Sequence, residues 1–415
     1  MMDVLLPKSL KAELLLQAKD NERFCKISAA ENCYKIIDPE NNQVWGYVAI
    51  DNTQRGIGLG GIRMAPNINF NEVNRLARVM SLKNSAACLP YGGGKAGLMV
   101  NDSRFYSDPK LKARLIDLFA DALFELESYL PAPDMGTDEI DMQVIYENHS
   151  RKLGSKNHDR GGAGLPVKYG GVPIDEWQLT AHGLYSAAQS LEAILENFSI
   201  MNSNIVIQGF GNVGCPIAKK LSQKGAQIVG ASDINCALWN PNGLDIEELA
   251  KIRKQRNGLR NYTGTVKKRF GPEKLDWLLE APCDILIPAA RPDAITARNI
   301  DRIDCRLILQ GANTPSSKPV EYYLKHRRNI LSLTDFIVNS GGVIGCAVER
   351  KMRVDKNYSA KVKESDTRTY IEKLIFDTVA KNVKEVFERI KVDMIFRDAA
   401  TELALERMET REVWL

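Results

Sequence analysis

The stretch "IVIQGFGNVGCPIAKKL", residues 205–221, carries the strongest indication of fold in this chain. It opens with a short apolar run that is typical of a buried β-strand, and it closes with a helical pattern. Between them, Gly209, Gly211 and Gly214 have the GxGxxG spacing of a loop that lets a pyrophosphate approach the N-terminus of a helix. The stretch therefore predicts a dinucleotide-binding unit, with a merely structural glycine turn as the alternative.

The next strand supports this prediction and indicates the cofactor. "AQIVGASD", residues 226–233, ends on Asp233, nineteen residues after Gly214. A carboxylate at the end of this strand accepts hydrogen bonds from the adenosine ribose and repels a 2′-phosphate. We therefore expect NAD, and NADP stays possible if a cation from the run 267–269 reaches the site.

Strands and helices alternate around this unit. A helical pattern covers residues 180–195, and buried strands are predicted in "CDILIPAA" (283–290) and "CRLILQGAN" (305–313). Such alternation is typical of a parallel sheet with helical crossovers. Nearer the N-terminus, residues 33–50 predict a β-hairpin, and residues 71–89 predict a helix.

The sequence thus predicts an α/β protein of two domains. A glycine- and charge-rich stretch, residues 152–171, has few residues able to form a core and marks the boundary. We assign residues 1–170 to a first domain, which the C-terminal helices 350–415 join, and residues 171–349 to a Rossmann-type domain.

Composition limits the class of ligand. Among 415 residues, 56 Lys and Arg balance 52 Asp and Glu, a charge distribution that favours a small-molecule ligand over nucleic acid or a membrane surface. The eight cysteines contain no CxxC pair, so no metal site is predicted. The N-terminus lacks the features of a secretory signal, and no apolar run approaches the ~20 residues of a membrane span, so we expect a cytoplasmic protein.

"LPYGGGKAGL", residues 89–98, places Lys95 after three glycines. A phosphate-binding loop is excluded, because Leu89 stands where that motif has its first glycine and Ala96 where it has Ser or Thr. Apolar neighbours favour a desolvated lysine over a solvated loop lysine. Burial and a nearby cation, for which we expected Lys83, would favour the neutral amine that a base needs. We expected the glycines to let backbone and substrate approach it.

"PAPDMGT", residues 131–137, holds Asp134 in a rigid setting after two prolines. The residues alone favour an ordinary turn aspartate. Seven stretches in order, this one included, resemble the glutamate/leucine/phenylalanine/valine dehydrogenase family: "GLGGIRMAP" (58–66), "SLKNSAACLPYGGGKAGL" (81–98), "PAPDMGT" (131–137), "VIQGFGNVG" (206–214), "ILIPAA" (285–290), "LQGAN" (309–313) and "VNSGGVIG" (338–345).

The resemblance implies the architecture and the reaction. It implies an N-terminal α/β domain for substrate and oligomerisation, a Rossmann-type domain for NAD, an active site in the cleft between them, and a homo-oligomer. The implied reaction is the reversible oxidative deamination of an L-amino acid to a 2-oxo acid and ammonia, with no nucleic-acid or membrane partner.

The resemblance also implies roles for individual residues. Lys95 would activate water and Asp134 would shuttle protons. Lys83 would hold the α-carboxylate of the substrate, and Thr180 and Asn313 would lie at the nicotinamide end of the dinucleotide. The full set implied to bind substrate is Lys83, Leu59, Gly60, Gly61, Met64, Val343 and Cys346. The full set implied to bind the dinucleotide is Thr180, Gly209, Gly211, Asn212, Val213, Gly214, Asp233, Ala289, Asn313 and Asn339.

Two positions depart from the glutamate dehydrogenases of this family. Leu59 stands where those enzymes have a lysine for the side-chain carboxylate, and Cys346 stands where they have a serine. Both changes remove polarity and predict an apolar substrate of the Leu, Val, Ile or Phe class. The alternatives are a glutamate dehydrogenase, which the stretch 229–245 and the chain length resemble more, and a catalytically silent nucleotide-binding regulatory relative.

Overall fold

The computed structural model describes residues 6–17, 30–156, 158–410 and 413–414. Its chain divides into two compact units. Unit 1 comprises the described residues of 1–174, 343–367 and 404–415, and unit 2 comprises 175–342 and 368–403. None of the helices in the described residues is long and apolar enough to cross a membrane.

The described residues form thirteen strands and thirteen α-helices. The strands are β1 Lys11–Gln17, β2 Asn32–Ile37, β3 Val44–Asn52, β4 Gly58–Ala65, β5 Gly92–Met99, β6 Tyr129–Pro133, β7 Asn204–Gln208, β8 Gln227–Ser232, β9 Ala237–Trp239, β10 Lys268–Phe270, β11 Ile285–Pro288, β12 Leu307–Leu309 and β13 Leu331–Leu333. The helices are α1 Phe70–Ala86, α2 Arg104–Ser107, α3 Pro109–Phe124, α4 Glu139–Leu153, α5 Leu179–Ile194, α6 Gly214–Gln223, α7 Ile246–Ile252, α8 Lys318–Arg328, α9 Asp335–Val338, α10 Gly341–Val354, α11 Lys356–Glu364, α12 Thr367–Arg389 and α13 Phe396–Thr410.

Unit 1 contains a mixed sheet with the strand order β1-β2-β3-β5-β4-β6. The predicted hairpin is confirmed, since β2 and β3 pair antiparallel. Strand β4 lies between β5 and β6 and runs parallel to both. The carboxyl ends of these three strands therefore meet at one edge of the sheet.

Helices cover both faces of this sheet. Side chains of α3 and α4, such as Phe119 and Met142, join Ile62 of β4 in one core, and α1 packs Val73 and Ala77 against Ala49 on the other face. Helix α1 begins where the Asn69 side chain accepts a hydrogen bond from the backbone N–H of Glu72, a standard N-cap.

Unit 2 contains a seven-stranded sheet with the order β10-β9-β8-β7-β11-β12-β13. Strands β8, β7, β11, β12 and β13 are parallel, and β9 and β10 form an antiparallel edge, so the predicted parallel sheet is confirmed. The chain moves from β7 to β8 on one side and later to β11 on the other. This reversal of strand order places a ligand crevice at the carboxyl end of β7, where Gly209 follows.

The C-terminal helices differ from the prediction. We assigned all of 350–415 to the first domain, whereas residues 368–403 group with unit 2. Within unit 2, Arg397 pairs with Glu321, and the backbone of Met394 accepts a hydrogen bond from Lys325. An amphipathic pattern identifies an apolar face but does not say which core receives it, so the sequence could not assign these helices.

Candidate active site

Lys95 and Asp134 form a buried ion pair in unit 1. Lys95 lies on β5, Asp134 follows β6, and the Lys95 Nζ contacts the Asp134 Oδ2. Lys95 is 3% exposed. The turn after β6 is held by Thr137, whose Oγ1 accepts a hydrogen bond from the Asp134 N–H and donates one to the carbonyl of Ile62 on β4. The two residues that the resemblance implied to be catalytic thus meet.

Gly61 separates the strands that carry these two groups. A Cβ at this position would lie 2.7 Å from the Cβ of Asp134 and 3.3 Å from the Nζ of Lys95. The first distance is too short for a real Cβ contact, so the absent side chain leaves the space in which the ion pair forms. Gly61 therefore shapes the site, as its predicted place in the substrate pocket requires.

Arg63 is a third charged group at this site, and no role for it was predicted from the sequence. Its Nε lies 3.4 Å from the Asp134 Oδ2, and its Nη1 lies 2.7 Å from the Oε1 of Glu72 on α1. Arg63 is 4% exposed. The available signal was strand alternation, because residues two apart on β4 share a face and Arg63 follows Gly61 by two.

The charges of this cluster shift the pKa of both partners. Burial lowers the pKa of the Lys95 ammonium, and the Arg63 guanidinium lowers it further. The Asp134 carboxylate raises it, but the pKa stays below its ordinary value. Burial alone would raise the pKa of Asp134, but Lys95 and Arg63 lower it to about 2. Asp134 is therefore ionised, and Lys95 loses its proton more readily than an ordinary lysine.

We predicted Lys83 as the cation beside Lys95, and the structure places the Arg63 guanidinium there, where it adds to the effect of burial in lowering the Lys95 pKa. The glycines before Lys95 admit backbone, as predicted, but the space at two of them is not left for substrate. A Cβ at Gly92 would lie 1.8 Å from the carbonyl oxygen of Asn52, and one at Gly93 would lie 2.2 Å from the backbone nitrogen of Ser81. These two glycines admit neighbouring strand and helix backbone, so protein rather than substrate fills the space.

Other residues predicted to bind substrate lie on several elements of unit 1. Lys83 is buried on α1, and Leu59, 1% exposed, shares by alternation the face of β4 that carries Gly61. Met64, also predicted to bind substrate, lies in the hydrophobic core with residues of α3 and α4, where its side chain contributes to packing.

The remaining substrate positions are Gly60, Val343 and Cys346. A Cβ at Gly60 would lie 1.6 Å from the carbonyl oxygen of Gly94. The close approach of the neighbouring strand β5 therefore explains why position 60 is a glycine. On α10, Val343 is half-buried and Cys346 is buried. Cys346 lies near Tyr91, whose pKa rises through burial and, to a smaller extent, through the Cys346 thiol.

The glycine loop of unit 2 fits a dinucleotide. A Cβ at Gly214 would lie 1.9 Å from the carbonyl oxygen of Gly209, so helix α6 packs tightly onto the strand end. Gly209 has a φ of +93°, which the turn requires. A Cβ at Gly211 would meet no protein atom within 4 Å, so this position is open for close approach of a ligand. These are the three roles that a pyrophosphate loop needs.

The next two residues complete the loop. Asn212 donates a hydrogen bond from its Nδ2 to the Oδ2 of Asp175 at 2.9 Å, and Val213 stands at the N-cap of α6. The side chain of Asn212 is therefore engaged with protein.

A second group of predicted cofactor residues lies near the carboxyl ends of β11 and β12. The Ala289 N–H donates to the carbonyl of Gln208, and a Cβ at Gly311 would touch the Cβ of Ala289 at 2.9 Å. Asn339 donates from its Nδ2 to the Oδ1 of Asn313 at 3.3 Å. The segment after Asn339 also reaches α5, since a Cβ at Gly341 would lie 3.3 Å from the Cα of Thr180.

Three buried polar atoms in this region lack a hydrogen-bond partner among the described residues. They are the Oε1 of Gln208, the Oγ1 of Thr314 and the Oδ1 of Asn339. A buried polar atom without a partner costs about 1–3 kcal/mol. Hydroxyl and amide groups such as those of a ribose and a nicotinamide would satisfy these atoms, so the donor and acceptor set fits the predicted cofactor.

Asp233 is held by the protein backbone. Its Oδ1 accepts from the N–H groups of Asn235 and Cys236 at 2.8 Å, and its Oδ2 accepts from the N–H of Leu259 at 2.7 Å. The carboxylate is thereby fixed at the end of β8, where we expected it to meet a ribose.

The alternative cations for a 2′-phosphate have other contacts. Lys268 lies over the ring of Trp277 at 4.2 Å, and Lys267 lies over the ring of Trp239 at 5.7 Å. Arg269 donates to the carbonyls of Arg260 and Tyr262. All three cations of the run 267–269 are therefore engaged with protein, and Arg269 also lies beside the Cys236 thiol, close to the end of β8.

Comparison with known proteins identifies the family. A family model described as "Glutamate/Leucine/Phenylalanine/Valine dehydrogenase" matches residues 170–412. A second, described as "Glu/Leu/Phe/Val dehydrogenase, dimerisation domain", matches residues 31–151. The two models together cover most of the chain.

Individual relatives agree with the family models. The catabolic NAD-specific glutamate dehydrogenase of Bacillus subtilis is 34% identical over 305 residues, covering 72% of this chain and 68% of that protein. The NADP-specific glutamate dehydrogenase of Saccharolobus shibatae is 32% identical over 376 residues, covering 88% and 83%. The fold is similar to that of the hetero-hexameric glutamate dehydrogenase from Thermus thermophilus in a Leu-bound form, with a TM-score of 0.75 and 23% identity over 98% of this chain and 89% of that one.

Proposed function

The chain belongs to the glutamate/leucine/phenylalanine/valine dehydrogenase family and is an amino acid dehydrogenase, and from this premise we propose that its substrate is L-glutamate. The relatives described above are named glutamate dehydrogenases, which supports this alternative over the apolar substrate that the sequence analysis preferred. The cofactor is NAD or NADP, since relatives of both specificities match. The Asp233 carboxylate supports NAD, because it is held at the end of β8, where it would repel a 2′-phosphate.

The buried pair of Lys95 and Asp134 is the observation that supports the chemistry. A dinucleotide held by the glycine loop would supply the acceptor for a hydride from the substrate Cα, and the substrate that has lost this hydride is an imine. Lys95, as a neutral amine, takes a proton from the water that attacks the imine carbon. Asp134, ionised and in contact with Lys95, accepts and returns protons as ammonia leaves.

The overall reaction balances without another reactant. An L-amino acid, water and oxidised dinucleotide give a 2-oxo acid, an ammonium ion, reduced dinucleotide and one proton. Lys83 holds the α-carboxylate, so that the Cα is oriented, and Gly61 keeps the space beside Lys95 clear. Burial of the ion pair excludes bulk water, which strengthens the charge interactions at the reacting carbon.

A second candidate substrate is an apolar amino acid. Leu59 and Cys346 supply no charge to a side-chain carboxylate, and Arg63 is already paired with Glu72 and Asp134. An unpaired buried carboxylate costs several kcal/mol. A glutamate dehydrogenase with this pocket therefore needs a cation from another position.

We also propose that the chain forms an oligomer through the region 31–151, on the basis of the dimerisation-domain model. Its molar mass in solution by light scattering tests this: a mass of about 46 kDa, that of one chain, would contradict it.

The substrate is tested by formation of reduced dinucleotide with a panel of L-amino acids and with NAD and NADP separately. We expect glutamate with NAD to give the highest kcat/KM. A higher value for leucine, valine, isoleucine or phenylalanine would replace glutamate by the second candidate. The same panel with Lys95→Ala controls for contaminating activity, and turnover of no amino acid would favour the silent relative.

A further inference from the structure

A buried ionic network lies behind the loop that carries Asn313 in unit 2. Arg397 of α13 donates from its Nε and Nη2 to the two carboxylate oxygens of Glu321 at 2.9 and 2.7 Å. The same Nη2 lies 3.5 Å from the Oδ1 of Asp335. Glu321 is 2% exposed and Asp335 is fully buried. Burial lowers the pKa of Arg397, but the two carboxylates outweigh this and raise it above its ordinary value.

Gln310 connects this network to the backbone. Its Oε1 accepts from the Nη2 of Arg397 at 3.1 Å and from the N–H of Asp335 at 3.1 Å. Its Nε2 donates to the Oγ of Ser316 at 2.9 Å and to Glu321. Gln310 is fully buried, so its side chain is fixed on both sides.

The network holds the loop 311–316 at several points. Asp335 accepts, through its Oδ2, a hydrogen bond from the N–H of Thr314 at 2.9 Å. Ser316, at the end of the loop, contacts both Gln310 and Glu321. The loop residue Asn313 lies immediately before Thr314, so the bond to Asp335 fixes its backbone on one side.

Thr314 also has a strained backbone. Its φ is +47°, a left-handed conformation that is unfavourable for a β-branched residue. Such strain persists only where the surroundings impose it, and it clusters at functional sites. The hydrogen bond from Thr314 to Asp335 is one contact that imposes it.

The loop also contacts Asn339, which, like Asn313, is predicted to bind the dinucleotide. Asn339 donates to the carbonyl of Gly311 at 3.3 Å and to Asn313, and its Oδ1 has no partner among the described residues. The Oγ1 of Thr314 is likewise buried without a partner. The open atom of Thr314 lies on the loop that the network holds, and that of Asn339 lies on a residue that contacts the same loop.

We propose that Arg397 is a positioning residue for the nicotinamide end of the dinucleotide, acting through Glu321, Asp335 and Gln310 on the loop 311–316. This inference rests on the proposed function, because it assumes that the loop receives a dinucleotide. Without Arg397, the buried carboxylates of Glu321 and Asp335 lose their cation. One of them must then become protonated or be reached by water, and we expect the loop that they hold to move.

The test compares the binding of NADH with that of ADP by titration calorimetry on the full-length enzyme. ADP lacks the nicotinamide and its ribose, so its affinity reports on the glycine loop 209–214. In Arg397→Met we expect the Kd for NADH to rise roughly tenfold and the Kd for ADP to stay unchanged. The KM for the dinucleotide should rise and the KM for the amino acid should not.

Two further variants complete the design. Arg397→Lys keeps the charge but cannot reach all of the acceptors, so we expect a smaller rise, and it replaces Arg397→Met if that variant does not fold. Arg302→Met removes an exposed arginine that pairs with Glu280 in the same unit, and should change neither Kd.

Each result has one interpretation. Weakening of NADH and ADP by the same factor would mean that Arg397 only stabilises the unit, and unchanged affinities would mean that the loop does not depend on it. Either result overturns the proposal and leaves the proposed function standing. If the unmodified enzyme binds no NADH, the proposed function itself fails.

Discussion

The Lys95 ammonium and the Asp134 carboxylate are in contact across Gly61, the glycine whose missing side chain leaves room for them. Lys95 lies on β5 and Asp134 follows β6, the two strands on either side of β4, and the two residues are 39 positions apart in the chain. The pair combines an ionised carboxylate with an amine that loses its proton easily. That combination suits proton transfer during hydrolysis of an imine.

Lys95→Ala should abolish most of the turnover. A general acid–base group typically contributes ~10²–10⁴ in rate, so kcat should fall by that factor. Binding of NADH, measured by titration calorimetry, should not change, because the glycine loop belongs to unit 2. Lys112→Ala is the matched control, since Lys112 pairs with Asp141 at 2.6 Å outside the site and should retain kcat. A Lys95→Ala enzyme with most of its kcat would remove Lys95 from the mechanism.

Arg63→Met should move the pH dependence of deamination. The Arg63 cation lowers the pKa of Lys95, and the neutral amine that acts as base is populated only above that pKa. Activity therefore rises with pH through the Lys95 pKa, and loss of Arg63 raises this pKa and moves the rise to higher pH.

The measurement is kcat/KM against pH for Arg63→Met and for the control Arg63→Lys, which keeps the charge. The control should follow the unmodified enzyme. If the rise of kcat/KM with pH occurs at the same pH in Arg63→Met as in the unmodified enzyme, that rise does not arise from titration of Lys95.

Gly61→Ala should damage both stability and catalysis. The added Cβ would lie 2.7 Å from the Cβ of Asp134, so the ion pair must separate or the strands must shift. Overpacking of this kind typically costs about 1–3 kcal/mol of unfolding free energy, measurable by urea titration. We expect kcat to fall with little change in the Kd for NADH. Normal stability together with normal kcat would contradict the close approach seen here.

The geometry of the glycine loop could be predicted from local sequence, and the Lys95–Asp134 pair could not. Gly209, Gly211 and Gly214 act within one strand–turn–helix unit, so their spacing alone specifies the geometry. The contact between Lys95 and Asp134 depends on the strand order β5-β4-β6, which no local pattern contains. Only the family resemblance connected the two residues.

Two further features could not be predicted from the sequence: the role of Arg63 and the placement of residues 368–403. Arg63 lies in the conspicuous stretch 58–66, but its importance arises from its contacts with Glu72 on α1 and Asp134 after β6. The helical pattern of 368–403 was visible, but its choice of core depends on contacts such as that of Arg397 with Glu321. Both features are set by tertiary contacts between distant parts of the chain.

Gly211→Ala should weaken dinucleotide binding without destabilising the protein. No protein atom lies within 4 Å of the added Cβ, so the unfolding free energy should stay the same. The Cβ occupies the space through which a pyrophosphate approaches, so the Kd for both NADH and ADP should rise roughly tenfold or more. In contrast, Gly209→Ala should also lose stability, because its φ is +93°. Unchanged affinities in Gly211→Ala would place the pyrophosphate elsewhere.

Leu59→Lys should shift the substrate preference toward glutamate. Leu59 shares the strand face of Gly61 and is 1% exposed, so a cation there would pair with a side-chain carboxylate and would reduce the apolar contact of leucine. In a pocket that leaves the glutamate carboxylate unpaired, pairing recovers roughly three kcal/mol of desolvation cost, and the ratio of kcat/KM for glutamate to that for leucine rises about a hundredfold. In a pocket that already supplies a cation from another position, the ratio rises by less, because only the apolar contact of leucine is lost. Adding Cys346→Ser should change this ratio further but by less, because serine adds no charge.

The control for Leu59→Lys is Leu59→Met, which conserves volume and polarity and should leave the ratio unchanged. Circular dichroism of both variants establishes that they are folded. A folded Leu59→Lys enzyme with the ratio of the unmodified protein would show that Leu59 does not contact the substrate side chain. The predicted apolar pocket would then have no basis, and the cation that glutamate needs would have to be sought on another strand or helix.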